Sequence, residues 1–213
     1  MKPSRRILMS AVALSLAAGS SASAQTKLVA RLTNDQEVPP AVPTTVAGAP
    51  RPASFGSAEF LLSADRMSLL FMAIIHNIDV TGAQTADIND NLLAAHIHAG
   101  PVIIPTAPVV WGFFGTPFND IMPTDIVVTP FATGVGGTFT SKWDAPEGNM
   151  TTLTEQLPNI LSEHAYLNFH TEQFRGGEIR GTLRVVPEPV SLLLLGTGLA
   201  GLGAVGRRRR RRP

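Results

Sequence analysis

Along the middle of the chain apolar and polar residues alternate with a period of two, which is the pattern of half-buried strands. Residues 54–63 place Phe55, Ser57, Glu59 and Leu61 on one face and Gly56, Ala58, Phe60 and Leu62 on the other. The tight turn Ala64-Asp65-Arg66 follows, and residues 67–78 form a long apolar strand, so the two predict a hairpin. Residues 28–32, 93–98, 109–114, 137–143, 165–170 and 177–185 predict further strands. Helical periodicity is confined to residues 151–162, where Leu153, Leu157 and Leu161 recur every four residues and Pro158 limits the length. Residues 38–52 hold five prolines and predict an extended loop, and residues 115–136 predict an irregular insertion. The fold class is therefore all-β, a single Greek-key-like β-sandwich over residues 25–186 with one short helix.

The two ends follow a different pattern. Lys2, Arg5 and Arg6 precede an apolar run over residues 7–18 and the small residues Ala22-Ser23-Ala24. That order predicts a signal peptide over residues 1–24, cut between Ala24 and Gln25. At the other end, Pro187-Glu188-Pro189 leads into the apolar residues 190–206, then six arginines, Arg207 to Arg212. Seventeen helical residues reach about 25 Å, the short edge of a bilayer span, and the arginines would stay on the cytoplasmic side.

This ending, residues 187–213, resembles the PEP-CTERM sorting signal, carried by Pro187, Glu188 and Pro189, the Leu/Gly-rich span and the Arg cluster. The resemblance implies processing by an exosortase, a membrane cysteine protease-transpeptidase. It also implies transient anchoring in the inner membrane through residues 190–206, in a Gram-negative, exopolysaccharide-producing bacterium.

Composition sharpens this reading. The net charge of +1 averages unlike pieces. Residues 25–186 carry eight Lys or Arg against fifteen Asp or Glu, a net −7, which argues against nucleic acid as a partner. The absence of cysteine excludes disulfides, zinc-thiolate sites and a cysteine nucleophile.

Two segments carry candidate chemistry. In Ala95-His96-Ile97-His98-Ala99-Gly100-Pro101 the two histidines share one strand face and Ile97 takes the other. In Tyr166-Leu167-Asn168-Phe169-His170-Thr171-Glu172, residues Tyr166, Asn168 and His170 share a face, and Gly176-Gly177-Glu178-Ile179-Arg180-Gly181 follows. With Glu37-Val38-Pro39-Pro40 near the start, these segments resemble the CHRD domain over roughly residues 27–186. The resemblance implies a secreted or surface β-sandwich and brings no established catalytic activity.

His96, His98 and His170 are a workable ligand set for Cu or Zn, with Asn168 and Glu172 as supporting groups. The alternative is a structural cluster of imidazoles hydrogen-bonded to backbone and carboxylates. Asp35, Glu37, Glu172 and Glu178 are candidate partners for those histidines or for Arg180. Asp87, Asn89 and Asp90 lack the glycine and distal glutamate of a calcium loop and predict a solvated loop. Trp143, Tyr166 and the phenylalanines predict core. Two functions stand side by side: binding or structural work on polysaccharide or a surface protein in the envelope or matrix, or a small metalloprotein or metalloenzyme using the three histidines.

Overall fold

The computed structural model describes residues 25–187. The predicted signal peptide with its Ala24–Gln25 cleavage, Glu188, Pro189, and the apolar tail 190–206 lie outside the described residues or on their border. Among the described residues no helix is long and apolar enough to cross a membrane.

The strands are β1 (Thr26–Thr33), β2 (Phe55–Leu62), β3 (Ser68–His76), β4 (Leu92–Ala99), β5 (Val109–Phe114), β6 (Val127–Pro130), β7 (Gly136–Asp144), β8 (Ala165–Thr171), β9 (Ile179–Thr182) and β10 (Arg184–Val185). They form one sheet in the order β5-β4-β8-β9-β1-β2-β3-β7-β6, with β10 also pairing β1. Every named strand pair is antiparallel.

The alternation seen in the sequence decides what the sheet encloses. Leu28, Ala30 and Leu32 of β1, Ala58, Phe60 and Leu62 of β2, and Leu69, Phe71, Ala73 and Ile75 of β3 are buried at every second position. On the other side of the curl, Ile97, Trp111, Phe113, Leu167 and Phe169 join the same apolar cluster. The aromatic contacts join the two halves. Phe71 of β3 meets Phe113 of β5 at 4.7 Å, Phe139 of β7 meets Phe169 of β8 at 5.2 Å, and Trp111 stacks on Trp143 at 5.4 Å. The two layers expected of a sandwich are thus the two halves of a continuous, curled sheet, a half-barrel. Continuity leaves fewer edges open than two separate sheets would.

The single helix, α1 (Leu153–Leu161), starts at a capping box: Thr152 Oγ1 accepts from Glu155 N–H while the Glu155 carboxylate accepts from Thr152 N–H. It buries Leu153, Leu157 and Ile160 and carries Pro158 within it.

Three local expectations need correction. The insertion at 115–136 contains a strand, β6, paired to β7 from Val127↔Thr140 to Pro130↔Gly137. Its proline is tolerated because β6 is an edge strand. The predicted strand 177–185 starts only at Ile179, after Gly177 at φ +131°, and it is interrupted at Leu183. Nor is the 87–90 segment simply solvated. Asp90 is buried and accepts from Thr85 Oγ1 at 2.9 Å, and Asp87 caps the short 3-10 turn by accepting from Asn89 N–H.

Candidate functional site

Strands β4, β8 and β9 are buried on both faces. One face gives Ile97, Leu167, Phe169 and Ile179 to the core. The opposite face carries His96, His98, Tyr166, Asn168, His170 and Arg180, each less than a tenth exposed. Register brings them together. His96 pairs with Asn168, His98 with Tyr166, and Ala94 with His170 across β4 and β8, while Asn168 pairs with Arg180 across β8 and β9. His170 is therefore diagonal to His96 on the same face.

Loops cover this polar face and supply its hydrogen bonds. His96 Nε2 faces Thr116 O at 3.0 Å, His98 Nδ1 faces Ala107 O at 2.8 Å, and His170 Nδ1 faces Arg175 O at 3.1 Å. A carbonyl only accepts, so each of these nitrogens carries the proton. Burial pushes all three rings toward the neutral form. His96 is held down to about 4, with the charge of His98 adding to burial, and His170 to about 3, with both other histidines adding. His98 is lowered by burial and by Arg180.

Neutral rings with those tautomers leave three lone pairs, on His96 Nδ1, His98 Nε2 and His170 Nε2. His96 Nδ1 and His170 Nε2 stand 3.2 Å apart. With a lone pair on each, no hydrogen bond joins them at neutral pH. His98 Nε2 is buried and has no hydrogen-bond partner among the described residues. One nitrogen from each ring lies within 4.8 Å of the others, so the three form a single cluster.

The predicted supporting residues divide. Asn168 is on the site face, fully buried, with Oδ1 unpaired among the described residues. Glu172 is not attached to His170: its carboxylate takes the Arg175 guanidinium at the surface. The support for His170 comes from the Arg175 carbonyl instead. Glu37 reaches Arg180, with Oε2 3.6 Å from Nε, and burial pushes its carboxyl up to about 7 against the pull of Arg180. Glu178 is fully buried with Arg51, Ser54 and Thr171 and serves the loop 38–54. His76 stacks on Phe55 far along β3, and His164 is exposed, so neither joins the cluster. Trp143 is core, as expected, whereas Tyr166 belongs to the polar face, stacked on His98 at 4.7 Å.

Sequence reasoning missed the three carbonyls, because backbone acceptors have no residue signature. One sequence signal does mark the loop that carries Thr116. Gly112 pairs with His96 across β4 and β5, and a Cβ there would lie 1.8 Å from Pro117 O and 3.0 Å from the His96 ring. Asn119 ties the loop down by donating its N–H to Gly112 O at 2.7 Å. A Gly112→Ala chain is expected to lose about 1–3 kcal/mol of stability by overpacking. It should also displace the Thr116 carbonyl from His96. Denaturant unfolding measures the first effect, and the His96 Nε2–H resonance reports the second.

Two protein-family models match the chain. The CHRD domain model matches residues 28–183, and the PEP-CTERM protein-sorting motif matches residues 185–211. No curated protein and no solved structure matches the chain. The sorting motif marks the chain for export, exosortase processing and delivery to the cell envelope or surface. With one family model spanning the strands, the helix and all three histidines, the chain belongs to the CHRD domain family and carries a C-terminal PEP-CTERM sorting signal.

Proposed function

We propose that this exported protein binds one transition-metal ion, Cu or Zn, through His96 Nδ1, His98 Nε2 and His170 Nε2. The observation that carries the reading is the 3.2 Å approach of His96 Nδ1 to His170 Nε2, two lone pairs with no proton between them. A cation between them turns that repulsion into two bonds. Ligand nitrogens about 2.0–2.1 Å from a metal stand roughly 3.3–3.6 Å from one another. His96 and His170 are already near that spacing, and His98 closes the third side by a shift of about 1 Å.

The rest of the arrangement suits the same role. Each ring donates its other N–H to a backbone carbonyl, which fixes the tautomer and orientation that ligation needs. All three donors are neutral imidazoles, which suit Cu and Zn over Mg or Ca. The sorting signal delivers the protein to the cell envelope or surface, which is compatible with a binding role there or in an exopolysaccharide matrix, and no reaction is assigned to the site.

Metal content by mass spectrometry tests this on the untagged chain, beside a His96→Ala/His98→Ala/His170→Ala variant. One equivalent of Cu or Zn, lost in the variant, is expected. A folded protein that takes up neither metal after incubation with both would overturn the reading.

A further inference from the structure

A cavity lies on the same side of the sheet as the histidines, and its reading does not require that they hold a metal. It has a volume of about 190 Å³ and is lined by Gln36, Val38, Ile104, Tyr166, Arg180 and Thr182, among others. Its floor is a cation. Arg180 is 6% exposed, donates Nε to Gln36 O at 2.5 Å and Nη1 to Pro105 O at 2.8 Å, and lies 5.0 Å over the Tyr166 ring. Its other terminal nitrogen, Nη2, makes no hydrogen bond among the described residues. The walls are apolar: Val38 and Ile104 are 47% and 67% exposed, on two loops that flank the opening.

A buried guanidinium needs a counter-charge. The only carboxylate that pairs with Arg180 among the described residues is Glu37, at 3.6 Å from Nε. Burial favours the neutral form of that carboxyl, so at pH 7 Glu37 compensates Arg180 only in part. The ion pair is also on the Nε side, which leaves the Nη2 donors free for another acceptor. A hydrogen bond from the charged Nη2 to an anionic oxygen is shorter and stronger than one to a neutral acceptor.

We propose that this cavity binds a carboxylate-bearing small ligand, with the carboxylate on Arg180 Nη2 and a short apolar or ring body against Val38, Ile104 and Tyr166. Two sources share that chemistry: a free short-chain carboxylate and a uronate unit of a polysaccharide.

Titration of the full-length chain with butyrate, galacturonate and neutral butyramide, followed by NMR, tests the proposal. The expected result is saturable shifts of the Arg180 side-chain N–H and the Thr182 methyl with at least one carboxylate. Butyramide should bind at least tenfold more weakly. Butyrate binding alone identifies a free carboxylate, and galacturonate binding alone identifies a uronate. Arg180→Gln should abolish binding. Because that change also removes two bonds to loop carbonyls, Ile104→Glu serves as the second variant. It places a carboxylate at the exposed mouth without touching the core, and it is expected to weaken binding at least tenfold while the fold is retained. Equal binding of butyrate and butyramide, or no shift at Arg180 with either carboxylate, would overturn the proposal.

Discussion

Lowering the pH from 7 to 4.5 in the absence of metal is expected to remove about 2–4 kcal/mol of stability. The unfolded chain takes up protons on His96, His98 and His170 near the ordinary value of 6.5, whereas the folded chain holds His96 down to about 4 and His170 to about 3, with His98 also lowered. Between those values the unfolded state binds more protons, so stability falls as pH falls. Glu37 acts in the opposite sense. Its folded value of about 7 lies above the ordinary 4.5, so its contribution is fully present below 4.5 and is lost as pH rises through 7. His96 and His170 against the one carboxyl leave a net uptake of about one proton on unfolding, and His98 adds to it in the same direction, which is the slope that gives the figure above. Against a typical total of 5–15 kcal/mol the loss is large. Urea unfolding at a series of pH values measures it. His170→Gln should reduce the slope. Saturation with Zn at neutral pH should raise stability by about 2.7 kcal/mol at a hundredfold excess over Kd. That gain should vanish on acidification as protons displace the metal.

The second large effect is at Glu178. Its carboxylate is fully buried, takes Arg51 Nη2 at 2.9 Å, and accepts from Thr171 Oγ1 at 2.5 Å and from Ser54 Oγ. Arg51 in turn donates to Gln173 Oε1 and Thr44 O, so one ion pair pins the long loop 38–54 to the turn after β8. Glu178→Gln keeps the shape and removes the charge, leaving a guanidinium buried without its partner. A loss of about 3–5 kcal/mol is expected. Glu178→Gln combined with Arg51→Met should recover part of it, since neither buried charge then remains. Glu172→Gln, at the exposed pair with Arg175, should change stability by no more than about 1 kcal/mol. Thermal or denaturant unfolding of the four chains decides the matter. Equal effects at Glu178 and Glu172 would show that the buried pair does not hold the loop.

Much of this architecture is legible in the chain. The period-two pattern marks β1 through β5, β7 and β8 within a residue or two, because each has one face in the core. The four-residue leucine spacing likewise marks α1. β6 escaped notice because four residues with a proline, mostly exposed, show no alternation. Curling into one sheet is also invisible, since β1–β2 and β4–β8 pairing look alike as patterns. The site is half legible. His96 and His98 on one face follow from spacing alone, but the convergence of His170 depends on the β4–β8 register. Glu172 looked like its partner because it is near in sequence, yet its side chain points to Arg175 at the surface. The true partners are carbonyls of three loops.

The central claim is that three neutral imidazoles aim their lone pairs at one point. Long-range 1H–15N NMR of the histidine rings at pH 7, on the metal-free chain, tests it most directly. His96 is expected with its proton on Nε2, and His98 and His170 with theirs on Nδ1. One equivalent of Zn should then shift His96 Nδ1, His98 Nε2 and His170 Nε2 together and leave the protonated nitrogens in place. A doubly protonated ring at pH 7, the opposite tautomer at any of the three, or a Zn response confined to His76 or His164 would contradict it.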